Sequence, residues 1–131
     1  MIVLDASAAV AVLLNLGESA RLVGDRMEEA NGELHVPHIF EIEVLNALRR
    51  HTIRRLSQER SAKLIEDLKS MRLTRYPHNA LLSRIWELKD NITAYDAAYV
   101  ALAETLDAPL ITLDAKLSQA PGIRATAELY Q

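Results

Sequence analysis

The feature that most constrains this chain is a pair of short apolar runs, far apart in sequence, that each end on an aspartate. Ile2-Val3-Leu4 runs into Asp5 and then Ala6-Ser7; Leu110-Ile111-Thr112-Leu113, entered through Pro109, runs into Asp114. Short apolar stretches with β-branched residues and no polar alternation fit strands buried on both faces of a parallel sheet. In an open α/β sheet, ligands bind outside the C-terminal ends of the strands, at the point where strand order reverses. The expectation is that Asp5 and Asp114 face each other across that crevice. The competing reading is that each aspartate only caps the helix after it, since Asp is a preferred N-cap.

Helical patterns separate the strands. Ala6 to Leu16, rich in Ala, Val and Leu, predicts a buried helix with Gly17 as its C-cap. Glu18 to Ala30 carries Ala20, Val23 and Met27 at helical spacing and ends at Asn31-Gly32. Glu33 to Val36 then predicts a strand closed by Pro37. Ile39 to Ile53 puts Ile39, Phe40, Val44, Ala47 and Leu48 on a broad apolar face, and Ser57 caps a helix that runs to about Met71. Leu73 to Tyr76 predicts a further strand, ended by Pro77. Asn79 is expected to cap a helix carrying Leu81, Leu82, Ile85, Trp86 and Leu88. Thr93 opens a helix from Ala94 to Leu106 that is almost wholly apolar and therefore buried. A short helix at Ala115 to Ser118 and an edge strand at Ile123 to Thr126 complete the pattern. Strands alternating with helices predict an α/β domain with a mostly parallel sheet, and right-handed crossovers place helices on both its faces. At 131 residues, the chain is expected to form one domain spanning 1–131.

Cysteine is absent, which excludes disulfides, thiolate-held metals and a cysteine nucleophile. The apolar start has no basic region before it and is interrupted by Asp5, unlike a signal peptide. No apolar run approaches the roughly 20 residues that span a bilayer. A soluble cytoplasmic protein is expected. The net charge of −3 argues against a protein that coats nucleic acid. Yet Arg49, Arg50, Arg54, Arg55, Arg60, Lys63, Lys69, Arg72, Arg75 and Arg84 face only Glu59, Glu66 and Asp67 over the same stretch. These cations make either solvated helix faces or a basic flank beside an acidic centre.

Two further carboxylates join the strand-ending pair. Asp96 follows Thr93 by three residues, which resembles a capping box; in the first turn of a helix the macrodipole also favours its ionised form. Glu43 shares a narrow helical stripe with Asn46 and Arg50 beside the apolar face, and Glu41 is a rival that periodicity leaves open. Carboxylates without Cys or a spaced His pair point to a hard cation such as Mg²⁺, which takes oxygen ligands and is usually shared with phosphate. Pro37 breaks any ligand spacing between His35 and His38, so ordinary polar roles are expected for both. Without a bound cation, the acidic cluster repels a polyanion. There is no Gly-rich phosphate loop, and Asp5 is followed by Ala6-Ser7, not by the second aspartate of haloacid-dehalogenase-like phosphatases.

Four segments in order carry a resemblance: Met1-Ile2-Val3-Leu4-Asp5-Ala6-Ser7-Ala8; Pro37-His38 with Glu43-Val44 and Asn46-Ala47-Leu48-Arg49-Arg50; Ala94-Tyr95-Asp96-Ala97-Ala98-Tyr99-Val100-Ala101-Leu102-Ala103-Glu104; and Leu110-Ile111-Thr112-Leu113-Asp114. Together they resemble the PIN-domain ribonucleases, and within them the VapC toxins of bacterial toxin–antitoxin pairs. The resemblance covers nearly the whole chain. It implies an α/β/α sandwich, an acidic pocket for Mg²⁺ or Mn²⁺, and metal-dependent endoribonuclease activity. It assigns the site to Asp5, Glu43, Asp96 and Asp114, selecting Glu43 over Glu41. Asp5 and Asp96 match the principal metal ligands, with Ser7 and Thr112 in supporting positions. It also implies a homodimer and a small VapB-type antitoxin that masks the site.

The sequence thus predicts a toxin that hydrolyses RNA phosphodiesters at an acidic Mg²⁺ site, with Asn46 and Arg50 as further support. Two other readings remain: a PIN-like module that binds RNA without cutting it, and a DNA nuclease or small phosphatase using the same site.

Overall fold

The computed structural model describes residues 1–52 and 56–131. Its centre is a sheet of five strands: β1 (Ile2–Leu4), β2 (Leu34–Pro37), β3 (Leu73–Tyr76), β4 (Leu110–Thr112) and β5 (Ala127–Leu129). The order is β3-β2-β1-β4-β5, and every neighbouring pair is parallel. The two Asp-ending runs are therefore adjacent strands. β1 and β4 are buried along their whole length, as apolar runs in the middle of a parallel sheet must be.

Among the described residues, the helices are α1 (Ala6–Leu13), α2 (Gly17–Glu29), α3 (Phe40–Thr52), α4 (Gln58–Ser70), α5 (Leu82–Glu87), α6 (Ala94–Leu106) and α7 (Ala115–Ser118), with a 3-10 turn at Asn79–Leu81. From β1 the chain winds outward through β2 to β3, returns to β4, and winds the other way to β5. Strand order thus reverses between β1 and β4. Right-handed crossovers put α1 to α4 on one face and α5 and α6 on the other. The packing agrees: α1 lies against α2, α3 and α4, whereas α6 lies against α5 and crosses β1, β2 and β4. The result is the expected α/β/α sandwich.

This winding has a consequence for the helix ends. α1, α3 and α7 start directly after strands β1, β2 and β4, and α6 runs back to enter β4. All four first turns therefore gather at the C-terminal edge of the sheet. α1 and α6 can approach that edge because they are built from small residues: Ala6, Ala8, Ala9 and Ala11 on one, and Ala97, Ala98, Ala101 and Ala103 on the other, are all buried. No single helix among the described residues is long and apolar enough to cross a membrane.

Most predicted elements are present, with shifted ends. Ser57 caps α4 by accepting the Arg60 N–H at 3.1 Å, and Thr93 caps α6 by accepting the Asp96 N–H at 3.2 Å. Gly17 is not a C-cap. Asn15, at φ 54°, turns the chain after α1, and Gly17, at φ 65°, is the first residue of α2. Pro37 lies inside β2, opposite Tyr76 of β3. Asn79 makes no capping bond; it opens the 3-10 turn that precedes α5. The edge strand lies at Ala127–Leu129 instead of Ile123 to Thr126. The segment before it is held elsewhere: the Arg124 N–H donates to the Glu104 carboxylate at 2.7 Å, and Arg84 donates to the Gly122 carbonyl at 2.7 Å. The predicted helix end at Ile53 lies outside the described residues, as do Arg54 and Arg55 of the basic stretch.

The Arg84–Glu104 pair bolts α5 to α6. Two guanidinium N–H groups donate to the carboxylate at 2.7 and 3.0 Å, and Glu104 is only 11% exposed. Burial pushes the Glu104 carboxyl up, but Arg84 and the Arg124 N–H outweigh it and hold the pKa below the ordinary range. A depressed carboxyl stabilises the fold at neutral pH and loses that contribution as pH falls through its folded value. Arg84→Ala is expected to cost about 3 kcal/mol in urea unfolding at pH 7, because it leaves a charge buried and unpaired. Arg84→Met with Glu104→Leu is expected to recover most of that loss. A single variant as stable as the parent would show that the pair does not join the helices.

Candidate active site at the strand C-termini

Asp5 is the last rung between the two central strands. Its N–H donates to the Ile111 carbonyl at 3.0 Å, and the residue is 5% exposed. Two hydroxyls hold its carboxylate, and both donate to Oδ2: Ser7 at 2.6 Å from the first turn of α1, and Thr112 at 2.8 Å from the end of β4. The same hydroxyls accept backbone N–H groups of the segment after β4. Leu113 donates to Ser7 Oγ and Asp114 to Thr112 Oγ1, each at 3.0 Å. Asp5 makes no side-chain cap to α1. Asp114 does cap its helix: Oδ1 accepts the N–H groups of Lys116 and Leu117 at 2.9 and 3.2 Å. The capping reading therefore holds for Asp114 and fails for Asp5.

Asp96 and Glu43 enter from the first turns of α6 and α3. Electrostatics place all four carboxyls in one cluster. Burial, then the charges of Asp5 and Asp114, push Asp96 up to about 6. Burial raises Glu43, and the charges of Asp5 and Asp96 add to it, against the pull of the Tyr99 hydroxyl and the weaker pull of Arg50. Burial also raises Asp5; the Ser7 and Thr112 bonds oppose this and Asp114 adds to it. Two polar atoms at the centre are buried without a hydrogen-bond partner, Glu43 Oε1 and the Tyr99 hydroxyl. Leaving such a group unpaired costs about 1–3 kcal/mol.

A divalent cation fits this donor set. The donors are oxygen only, as Mg²⁺ and Mn²⁺ prefer. Positive charge would relieve both the mutual repulsion and the unpartnered Glu43 Oε1. Among the described residues no three His, Asp or Glu side chains converge closely enough to ligate one ion directly. Mg²⁺ keeps several waters and takes only one or two protein carboxylates, so a loosely spaced set suits a hydrated ion.

The other sequence candidates divide. Ser7 and Thr112 are in the cluster. Asn46 and Arg50 are exposed; Asn46 Oδ1 accepts from Arg49 at 3.4 Å, and Arg50 reaches Glu43 through its charge alone. Glu41 is tied to Arg75 at 2.7 Å, away from the cluster. His35 lies 2.6 Å from the Tyr76 hydroxyl, and His38 is exposed. The basic stretch is partly neutralised, with Lys63 on Asp67, Lys69 on Glu66, and Arg84 on Glu104. Sequence reasoning passed over Tyr99. The available signal was a lone hydroxyl in an apolar run, three residues after Asp96 and so beside it on the helix.

The cluster predicts an inverted pH response in the cation-free protein. A carboxyl raised in the folded state stabilises below its unfolded value and loses that contribution as pH rises through its folded value. For Asp96 that window runs from 3.8 to about 6. Asp96→Asn keeps the cap, which uses the backbone N–H. In chelator at pH 7 it should gain on the order of 1 kcal/mol, after allowing for solvent screening, and nothing at pH 4. An equal effect at both pH values, read by urea unfolding, would place Asp96 outside the cluster.

Comparison with known proteins gives a consistent picture. The PIN domain family model matches residues 2–123. Ribonuclease VapC9 of Mycobacterium tuberculosis is 44% identical over 119 residues, covering 90% of this chain and 89% of that protein. Ribonuclease VapC1 of the same organism is 38% identical over 131 residues, covering 98% and 97%. In the solved structures, a DNA-bound VapBC from Salmonella typhimurium aligns over the whole of both chains at 16% identity, with a TM-score of 0.71. With its sequence and its sheet in agreement, this chain belongs to the PIN-domain family and, within it, to the VapC ribonucleases.

Proposed function

We propose that this protein is a metal-dependent endoribonuclease that acts as the toxin of a VapBC-type pair. The observation that carries this reading is the cluster of four carboxyls from β1, α3, α6 and β4 at the reversal of strand order, three of them driven above their ordinary range. Asp5 and Asp96 would hold Mg²⁺ or Mn²⁺, with Glu43 and Asp114 completing the acidic surround. Such an ion supplies an activated water and neutralises charge on a phosphodiester during in-line displacement. Ser7 and Thr112 fix the Asp5 carboxylate by anchoring its Oδ2. Glu43 would support the ion-binding pair with its charge from the first turn of α3.

The surroundings suit the same reading. A shallow apolar groove of about 270 Å³, lined by Leu45, Leu48, Leu56, Leu64 and Ile65 with Arg49 at its side, is shaped for an apolar helix of a small VapB-type antitoxin. Exposed Leu82 and Tyr95 line a separate apolar hollow with Ile39, Ile85 and Ala98 that suits a homodimer. The absence of cysteine fits action in the cytoplasm.

The test is incubation of the purified, partner-free chain with total RNA, in Mg²⁺ or Mn²⁺ against chelator, with cut ends mapped by sequencing. Discrete cuts are expected that need the ion and vanish in Asp5→Ala and in Asp96→Asn, the second of which is at least as stable as the parent. Thr112→Val, which removes one of the two donors to Asp5 together with the acceptor for the Asp114 N–H, is expected to lower the rate about 10–100-fold. RNA binding without cuts, in folded protein with the ion bound, would replace the nuclease with a binding module. Full activity in Asp96→Asn would overturn the site.

A further inference from the structure

Tyr99 is fully buried, and among the described residues its hydroxyl has no partner in full bonding geometry. It lies one turn below Asp96 on α6, on the same side of the helix. Burial, the charge of Glu43 and a side-chain contact with Glu43, and then the charges of Asp5 and Asp96, hold the proton on the phenol. The contact is reciprocal, since the Tyr99 hydroxyl pulls the Glu43 carboxyl down. Among the described residues, Glu43 Oε1 is the other buried atom at the centre without a partner in full bonding geometry. A phenol is a neutral donor at any working pH, and an ionised carboxylate only accepts. Donor and acceptor are thus matched in chemistry and in contact through their side chains.

We infer that Tyr99 is a positioning residue that holds the Glu43 carboxylate toward the acidic cluster by donating its hydroxyl hydrogen to Oε1. The inference rests on the ribonuclease reading only for its kinetic consequence; the cation-binding consequence stands without it. Hydrophobic packing alone does not account for the side chain. Phe would fill the same volume and leave no orphaned hydroxyl, whereas this hydroxyl is in contact with the Glu43 carboxyl and within reach of the charges of Asp5 and Asp96. Tyr99 touches neither ion nor RNA in this scheme. It acts through Glu43, as an outer partner orients a ligating carboxylate.

The test uses the full chain and Tyr99→Phe, which removes one oxygen. Mn²⁺ binding by calorimetry is expected to weaken about tenfold, with Tm unchanged or higher, and kcat for RNA cleavage to fall about tenfold with KM unchanged. In a Glu43→Gln background, Tyr99→Phe is expected to cause no further loss. An additional tenfold loss there would overturn the proposal, as would Mn²⁺ affinity and kcat within twofold of the parent. A lower Tm with unchanged affinity and kcat would assign the hydroxyl to the core alone and overturn it equally. Weakened Mn²⁺ binding in a parent chain that cuts no RNA would support the positioning role and overturn the ribonuclease reading instead.

Discussion

The structure depends on one carboxylate oxygen, Oδ2 of Asp5, and the two hydroxyls that close on it. β1 and β4 sit side by side at the reversal of strand order, yet the residues that join their tips, Asp5 and Thr112, are 107 apart in sequence. No crossover loop covers this seam, so it opens as a crevice. A carboxylate buried there without donors would be strongly unfavourable. Ser7 and Thr112 supply the donors, and both also take an N–H from the chain leaving β4. The knot thus fixes the end of β1, the start of α1 and the exit from β4 together. It sets the position of Asp114, and the sheet it closes sets where α3 and α6 begin.

What gathers around the knot is unfavourable on its own terms. Four carboxyls repel one another, three are driven upward by burial, and two buried polar atoms lack partners. Proteins keep such conflicts at functional sites and offset them elsewhere. Here the offsets are visible at the far side of the fold. Arg84 joins α5, α6 and the Gly122 turn, and Arg26 ties α2 to Glu128 on β5 at 2.8 Å. Tyr130 adds a second donor to Glu128 at the same distance. Each of these arginines is paired with acids, Arg84 with Glu104 and Glu87 and Arg26 with Glu128 and Glu29, whereas the cluster gathers acids with no cation bonded among them.

The elements legible in the sequence were those whose signal is local. Apolar runs gave β1 and β4; Ser57 and Thr93 gave the starts of α4 and α6. The misplaced ends have non-local causes. Gly17 looks like a C-cap from its neighbours alone, but Asn15 takes the left-handed turn first. β5 starts later than its composition implies because Glu104 and Arg84, from another layer, hold the residues before it. The site divides the same way. Asp5 and Asp114 could be argued from strand ends alone. Glu43 could be separated from Glu41 only by resemblance, since the discriminating fact is a salt bridge from Glu41 to Arg75 on a different element. Tyr99 was hidden because its partner lies on α3, and nothing in the sequence of α6 reveals which helix faces it.

The capping and site readings of a strand-ending aspartate are not exclusive, because a carboxylate has two oxygens. Asp114 gives Oδ1 to the first turn of α7, and Asp5 gives Oδ2 to Ser7 and Thr112. Among the described residues, no side-chain donor takes the second oxygen of either. One oxygen per residue is committed to the fold, which fixes the direction of the other, and rigidity of that kind is what a site requires of its ligands. Asp96 achieves the same end differently: its N–H is committed to Thr93, whose hydroxyl also pulls on the carboxyl. The sequence pattern of an apolar strand, an aspartate and a small-residue helix therefore encodes fold and site in a single choice. Replacing either strand-ending Asp by Asn would preserve much of the first role and remove the charge on which the second depends.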